Sequence, residues 1–230
     1  MIRRASVLLL LIGLAFIFAH LLFGYTADSE LNRTARYYAD HTADDIGASN
    51  IVTAIIVTYR GLDTLGEVTV LFLTASIIGL VLASSKRSIG RQRRAPGELL
   101  ATGSRLLVPL ILLLGAYVFI NGHLTPGGGF QGGAIIASAT LLLLLTDPLQ
   151  NFSHRLISIV ESVSGLFFIS IGLLGIFVAG GFLDSRILPT GELGSIFSAG
   201  VIPIIYSFVG LKVGAEFTSM LANLAETEKS

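Results

Sequence analysis

The sequence predicts an all-α fold, a polytopic transmembrane helix bundle of about six spans with both termini in the cytoplasm. The chain has 230 residues, of which 53% are hydrophobic and 13% are charged, about half the charged fraction of a typical soluble domain. The apolar residues form blocks of about 20, the length at which a helix crosses a hydrocarbon core of ~30 Å. Because lipid offers no hydrogen-bond partners to the backbone, such blocks must be helical.

The first block, Ala5–Gly24, follows the basic pair Arg3 and Arg4. A basic pair before an apolar run is also typical of a signal peptide. We favour a retained first span, because no small-x-small cleavage site follows and the run has full spanning length. A polar stretch rich in acidic residues, Tyr25–Ala48, then separates this span from a short apolar run, Ile51–Val57.

Five further spans follow along the chain. Each is an apolar run bounded by polar or glycine-rich sequence, and they are predicted at Leu65–Ser84, Leu106–Ile120, Ala134–Thr146, Leu156–Phe182 and Ile196–Leu221. The fourth span is short and ends at Asp147 and Pro148, since proline disfavours a helical conformation at the residue before it. Small residues recur on this span at helical spacing, which predicts close helix packing.

The distribution of Lys and Arg predicts the orientation of the spans. Basic residues at the N-terminus, in the linker 86–105, at Arg155 and at Lys229 fall on one side of a six-span arrangement, and the acidic stretch 25–48 falls on the other. This assignment indicates a multi-pass protein of the cytoplasmic (inner) membrane. The linker also divides the chain into a two-span unit, 1–85, and a four-span unit, 106–230.

Composition excludes several classes of function. The chain contains no cysteine, which rules out a Cys-ligated iron–sulfur cluster, a thioether-linked haem and a disulfide within the chain. Its formal net charge is zero, so nothing indicates nucleic-acid binding. We expect no cofactor, no bound metal and no catalytic residue. The inverted repeats of a complete secondary transporter are also absent from the sequence.

The segment Tyr59–Glu67 lies just before the second span and carries several charges. Thr64 and Glu67 have the spacing of a capping box, which would give the carboxylate a structural role. Alternatively, Glu67 faces other helices within the membrane, where a carboxylate costs about 3 kcal/mol and usually marks a proton or ion path. Arg60 and Asp63 form either an ion pair at the entrance to that path or a solvated interfacial pair.

The segment Asn121–Gly133 is rich in glycine. It predicts an irregular backbone, which is tolerated at membrane depth only where it is buried in protein or lines water. The expected structural loop comprises Pro126, Gly127, Gly128, Gly129, Gly132 and Gly133. A phosphate-binding loop is disfavoured, because no Walker-type lysine or serine follows. His123 is either structural or a proton relay, since histidine changes charge near physiological pH.

Lys212 and Glu216 on the sixth span are four residues apart and therefore share a helix face. They either snorkel near the cytoplasmic interface or form a charge pair in the interior of a complex, as part of a hydrophilic axis. Glu161 on the fifth span offers the same choice between a water-exposed carboxylate near the cytoplasmic end and a member of that axis.

The glycine-rich segment Asn121–Gly133 resembles the signature of the MnhB/MrpB subunit family of Mrp-type multisubunit Na⁺/H⁺ antiporters. The segment Tyr59–Glu67 resembles the C-terminal end of the MrpA subunit and the separate E-type subunit of membrane-bound hydrogenase complexes. Together the resemblances cover most of residues 47–225. They imply a role in ion translocation for Glu67 and allow one for His123. In an Mrp antiporter the first segment follows a large proton-pumping body, whereas here it is joined directly to the B-type unit.

The resemblance implies a non-enzymatic subunit of a hetero-oligomeric membrane complex with A-, C-, D-, E-, F- and G-like subunits, surrounded by lipid. Na⁺ and H⁺ are the ions expected. The candidate ion-translocation residues are Arg60, Asp63, Glu67, His123, Glu161, Lys212 and Glu216. Two alternatives stay open: the ion-translocating module of an energy-converting membrane-bound hydrogenase or related redox complex, and a scaffold that moves no ions.

Overall fold

A computed structural model describes residues 2–25, 30–84, 97–147 and 152–227 of the chain. These ranges contain helices and connecting segments but no strand. The α-helices are α1 (Ile2–Gly24), α2 (Arg33–Ile46), α3 (Ile51–Ala54), α4 (Gly61–Ser84), α5 (Glu98–Ile120), α6 (Gly129–Thr146), α7 (His154–Val178) and α8 (Ile202–Thr227). Pro148, Lys229 and residues 86–96 of the basic linker lie outside the described residues.

By length and composition, six of the described helices can cross a membrane. They are α1, α4, α5, α6, α7 and α8, with apolar ranges Arg4–Gly24, Gly61–Leu82, Glu98–Ile120, Gly129–Thr146, His154–Val178 and Ile202–Glu226. The all-α polytopic fold with six spans is therefore confirmed. The position of both termini in the cytoplasm stays a prediction.

Several helices begin earlier than the sequence predicts. α4 begins at Gly61 instead of Leu65, and α5 begins at Glu98 instead of Leu106, so residues 98–105 of the expected linker are helical. The reason is that hydropathy marks the part of a helix that lies in hydrocarbon, whereas the helix itself continues into polar sequence. The fifth span ends early, at Val178, and the sixth begins late, at Ile202.

The chain divides into two compact units, Met1–Tyr37 and Tyr38–Ser230. The first contains α1 and the start of α2, where Arg36 and Glu30 form an exposed ion pair at 3.4 Å. In the second, α8 packs against α4, α5, α6 and α7, so α8 is its central helix. The division of the chain by the linker 86–105 into a two-span unit and a four-span unit stays a prediction. In the structure, α4 and α8 belong to the same compact unit, Tyr38–Ser230.

Close packing around α8 depends on glycines at the start of α6. A Cβ atom at Gly129 would lie 2.6 Å from Val209 Cγ1, and one at Gly133 would lie 2.7 Å from the Gly210 carbonyl oxygen. Further along the same pair of helices, the hydroxyls of Thr140 and Thr218 are 3.1 Å apart. The small-residue face of the fourth span therefore packs against α8, as expected where helices associate by close backbone approach.

The short apolar run before α4 is helical and packs into the second unit. α3 continues as a π-helical turn, Ile55–Tyr59, and both Ala54 and Val57 are 0% exposed. The hydroxyl of Thr64 donates to the carbonyl oxygen of Ile56 at 2.9 Å and ties this turn to α4. The segment therefore contributes Ala54 and Val57 to the protein core, while Ile51 and Val52 at its start are exposed.

Candidate functional site

A buried ion pair lies near the middle of α8. The ammonium of Lys212 is 2.7 Å from Oε1 of Glu216, and the two residues are 8% and 0% exposed. At 1.5 Å per residue, Lys212 lies about 15 Å from the start of the helix. A lysine at this depth does not reach the interface by snorkelling. The snorkelling alternative is therefore wrong, and the two residues form an interior charge pair.

The second carboxylate oxygen of this pair has no partner in the part of the chain that the structure describes. Oε2 of Glu216 is buried and makes no hydrogen bond within the described residues. A buried polar atom without a partner costs about 1–3 kcal/mol. Lysine before glutamate is also the weaker order for a helical pair at this spacing. The pair is therefore poorly arranged for stability, and intramembrane charges of this kind usually mark ion pathways.

Lys212 also lines an open groove that contains a second carboxylate, which we call the α7 groove. The groove has a volume of about 300 Å³, and it is lined by Leu65, Val68, Thr69, Phe72, Glu161, Ser162, Gly165, Leu166, Phe168, Ile169 and Lys212. Glu161 is partly buried, and the choice between a water-exposed carboxylate and a member of a hydrophilic axis stays a prediction. The ammonium lies 5.0 Å from the centroid of the Phe72 ring, within the range of a cation–π interaction.

Glu67 lines a different groove, which we call the α4 groove, of about 290 Å³. Its walls are Val52, Ile56, Thr64, Glu67, Gly127, Gly129, Phe130, Gln131, Tyr206 and Val209. Because α4 begins at Gly61, Thr64 lies inside the helix and bonds to Ile56, so the capping-box interpretation is wrong. Glu67 is exposed in this chain, and no described residue forms an ion pair with it. Its carboxylate therefore faces outward from a spanning helix.

Arg60 and Asp63 form an ion pair just before and within the first turn of α4. Their side chains are 62% and 51% exposed, and neither is among the residues that line the α4 groove. An exposed pair of this kind contributes about 0–1 kcal/mol. The geometry is that of a solvated pair, and a role at the entrance to an ion path stays a prediction.

The glycine-rich segment is irregular only in its first part. Residues 121–128 form the connection between α5 and α6, whereas Gly129, Gly132 and Gly133 belong to α6. The predicted irregular segment, Asn121–Gly133, therefore extends five residues too far, because the connection ends at residue 128. Glycine is required at the start of α6 because the adjoining helices leave no space for a side chain: a Cβ at Gly132 would lie 2.7 Å from the Gly115 carbonyl oxygen. Packing outweighs the low helix propensity of glycine.

His123 is 0% exposed in the α5–α6 connection. Its Nε2 lies 3.3 Å from the carbonyl oxygen of Ser195, and its Nδ1 is buried without a hydrogen-bond partner among the described residues. Burial lowers the pKa of His123 from its ordinary value of 6.5, against the opposing effect of backbone hydrogen bonds, of which the one to Ser195 is the largest. His123 lines neither groove, so the geometry favours a neutral, structural histidine.

The structure thus brings Lys212, Glu216 and Glu161 near one another, and it pairs Arg60 with Asp63 at a separate place. Lys212 and Glu161 line the α7 groove, Glu216 is buried beside Lys212, and Glu67 lines the α4 groove. Phe72 and Tyr206 line these grooves but were not among the residues predicted from the sequence. Nothing in the sequence marks either of them, because their importance depends on which helices adjoin.

A profile for the family described as a domain related to the MnhB subunit of Na⁺/H⁺ antiporters matches residues 99–219. A second profile, MbhE, which describes the E-type subunit of MBH, matches residues 2–91. The chain is 33% identical over 208 residues to the uncharacterized protein MJ1307 of Methanocaldococcus jannaschii, covering 78% of each chain. It is 34% identical over 119 residues to the B-type subunit of a Na⁺/H⁺ antiporter from Bacillus subtilis, covering 46% of this chain and 83% of that one.

Two solved structures share the fold. One belongs to the membrane-bound sulfane sulfur reductase, an archaeal respiratory membrane complex: the match has a TM-score of 0.80 and 38% identity and covers 97% of this chain and 98% of that chain. The other belongs to the Mrp complex of Dietzia sp. DQ12-45-1b, with a TM-score of 0.78 and 27% identity. It covers 99% of this chain but only 26% of that one. The chain therefore belongs to the family related to the MnhB subunit of Na⁺/H⁺ antiporters.

Proposed function

We propose that this chain is a membrane subunit of a multisubunit cation/proton antiporter module and that it takes part in Na⁺/H⁺ translocation. The observation that carries the proposal is the buried pair Lys212–Glu216, at 2.7 Å in the middle of a spanning helix, with one carboxylate oxygen that no described residue contacts by a hydrogen bond. Charges at this depth are costly and are kept mainly where ions or protons pass. If the pair had only a structural role, apolar side chains at these two positions would stabilise the protein equally well.

The chemistry of the site fits a monovalent cation. Glu216 and Glu161 are acceptor groups for a proton or Na⁺, and Lys212 supplies a fixed positive charge that neutralises one of them. With three charged groups near one groove, the site has an excess of one negative charge. A single transported cation balances that excess, which is the requirement for reversible binding in a low-dielectric interior.

Glu67 is a further carboxylate to which we assign a role in ion translocation. Its carboxylate is exposed on a spanning helix and lines a groove whose other polar groups belong to Thr64, Gln131 and Tyr206. Because a carboxylate facing lipid is unfavourable, we propose that a neighbouring Mrp-type subunit covers this surface in the assembled complex. Glu67 then joins the ion path at the contact between subunits. The chain is thus one member of a hetero-oligomer in the cytoplasmic membrane.

The test is ion exchange by the intact complex in proteoliposomes. Glu216→Gln removes the charge of the buried carboxylate with little change in volume. We expect Na⁺-dependent proton movement to fall at least tenfold while the same subunits still co-purify. Unchanged exchange in an assembled complex that carries Glu216→Gln and Glu161→Gln together would leave the chain only a scaffolding role.

A second candidate is the same translocation role within a redox-driven complex. The specific observation is the match to a chain of the sulfane sulfur reductase, which is end to end in both proteins. The antiporter chain of known structure is matched over only 26% of its length. Co-purification of iron–sulfur subunits, together with Na⁺ or proton movement that requires an electron donor, would favour this parent complex. Movement driven by an imposed pH gradient alone, in a complex without such subunits, would favour the antiporter.

A further inference from the structure

We infer that Lys212 is a movable positioning charge with two carboxylate partners, Glu216 on its own helix and Glu161 across the α7 groove. Its movement between them uncovers one carboxylate at a time for a monovalent cation. The inference rests on the proposed function, because it concerns the order of events at the same site. It adds a passage for the lysine side chain, formed by Gly165 and Phe72, which the translocation proposal does not require.

The first partner is the one that the structure shows. Lys212 is 2.7 Å from Oε1 of Glu216, while Oε2 of the same carboxylate has no partner among the described residues. The two residues are in the weaker order for a helical ion pair. Glu216 is therefore only partly satisfied by Lys212, and the pair is one that competing groups can separate.

The second partner is one helical turn from the place where the lysine ends. A Cβ atom built on Gly165 would lie 3.5, 3.6 and 3.7 Å from Cδ, Cε and Nζ of Lys212, so the tip of the side chain rests directly over this glycine. Glu161 precedes Gly165 by four residues, about 6 Å along α7 and on the same face. Both residues line the groove that Lys212 enters. A flexible four-carbon stem can cover such a distance by rotation of its bonds.

The space from the Lys212 ammonium to Glu161 is an open groove with a stabilising wall. The groove has a volume of about 300 Å³, and Gly165 places no side chain beneath the ammonium. On the other side, the Phe72 ring centroid lies 5.0 Å from Nζ. A ring face attracts a cation electrostatically, which lowers the penalty for the ammonium while it is bound to neither carboxylate.

The charge balance explains why the movement would be coupled to ion binding. One ammonium neutralises one of the two carboxylates, and the other carries an uncompensated negative charge, which is unfavourable where the effective dielectric constant is below that of water. A proton that bonds to an oxygen of the free carboxylate, or a Na⁺ that this oxygen coordinates, removes the excess. When Lys212 moves to Glu161, Glu216 becomes the free site, and the reverse movement restores it. No third acidic partner is needed.

A structure of the intact complex carrying Glu216→Gln tests the two-partner arrangement directly. We expect the Lys212 ammonium to lie within ion-pair distance of the Glu161 carboxylate, because the neutral amide no longer holds it. In a complex carrying Glu161→Gln, the lysine should stay paired with Glu216. A Lys212 that remains beside residue 216 in the Glu216→Gln complex, or that points away from Glu161, overturns the inference.

A steric variant tests the passage without changing any charge. Gly165→Leu fills the space over which the lysine moves, and we expect ion exchange to fall at least tenfold while subunits co-purify and Lys212 stays on Glu216. The matched control is Gly103→Leu, at a helical glycine in α5 where an added Cβ would meet nothing within 4 Å; it should leave exchange within twofold. Exchange within twofold of wild type for Gly165→Leu overturns the passage.

Failure of the proposed function and failure of the lysine movement are distinguishable. If Glu161→Gln and Glu216→Gln together leave ion exchange intact, the proposed function fails and the inference fails with it. If they abolish exchange but Gly165→Leu does not, translocation at this site stands and only the movement of Lys212 is overturned.

Discussion

The side-chain amide of Asn50 donates a hydrogen bond to the carbonyl oxygen of Gly122 at 2.9 Å. The same amide nitrogen donates to the carbonyl oxygen of Thr125 at 3.0 Å, and Oδ1 of Asn50 caps the start of α3 by accepting from the backbone of Val52 and Thr53. One side chain thus joins the segment before the second span to the connection that follows the third. This anchor brings α3 and the α5–α6 connection together beside the α4 groove.

Replacing Asn50 by alanine should destabilise the protein by about 2–3 kcal/mol. The change removes a helix cap, worth about 1 kcal/mol, and it leaves the Thr125 carbonyl oxygen without its side-chain donor, which costs about 1–3 kcal/mol, while the Gly122 carbonyl oxygen keeps the bond from the Thr53 hydroxyl. The measurement is the free energy of unfolding in detergent micelles. Asn32→Ala is the matched control, because Asn32 makes an exposed capping bond to the backbone of Ala35 and should cost about 1 kcal/mol or less. Equal losses in both variants would contradict the anchor.

Gly133→Ala should separate α6 from α8. The added methyl group would lie 2.7 Å from both the Gly210 carbonyl oxygen and Val213 Cβ, and overpacking of this kind costs about 1–3 kcal/mol. We expect lower thermal stability by size-exclusion assay and less assembled complex. Gly103→Ala in α5, where a Cβ meets nothing within 4 Å, should be neutral or slightly stabilising. A neutral Gly133→Ala would show that the two helices do not approach so closely.

Breaking the buried ion pair should cost more than removing it. Lys212→Met leaves Glu216 buried without its cation, and we expect a loss of about 3–5 kcal/mol in the free energy of unfolding. Combining Lys212→Met with Glu216→Met should restore most of that stability, because no charge is then left uncompensated. Ion exchange should stay absent in the double variant. Recovery of exchange together with stability would mean that the pair serves packing alone.

Glu67→Gln should reduce ion exchange at least tenfold without reducing assembly. The amide keeps the shape of the side chain in the α4 groove but neither ionises nor binds a cation well. Glu192→Gln, a change at an exposed carboxylate outside the spanning helices, is the control and should have no effect. Both are measured in proteoliposomes containing the intact complex. Normal exchange with Glu67→Gln would remove Glu67 from the ion path.

His123 should make stability depend on pH in a defined window. Burial lowers its pKa below the ordinary value of 6.5, so the unfolded chain binds a proton more readily than the folded one. The stability due to neutral His123 is therefore complete above about pH 6.5 and is lost as the pH falls through that value towards the folded pKa. Thermal stability should decline as the pH is lowered from about 7.5 to about 5.5, less steeply in His123→Gln. Equal slopes would contradict a buried neutral imidazole.

The sequence alone determined the fold class of this protein and the number of its spans. In lipid, a block of about 20 apolar residues adopts an α-helix, because the backbone must form its hydrogen bonds within the block. The two segments that resemble known subunits, Tyr59–Glu67 and Asn121–Gly133, also predicted the family, which the matches to residues 2–91 and 99–219 confirm. Boundaries were less well determined, since hydropathy reports where lipid begins and says nothing of helical continuation through Gly61 or Gly129.

Only the tertiary structure decided which charged residues lie near one another. The spacing of Lys212 and Glu216 was enough to predict that they share a helix face. Their burial, in contrast, depends on the packing of α4, α6 and α7 around α8. The approach of Glu161 to the same groove depends on how α7 lies beside α8, which no local pattern encodes. The same holds for the glycines of α6, which are required because the adjoining helices α5 and α8 leave no space for a Cβ. Side-chain environments in a bundle are set by residues distant in sequence, and so the charged residues could be named from the sequence but not grouped into a site.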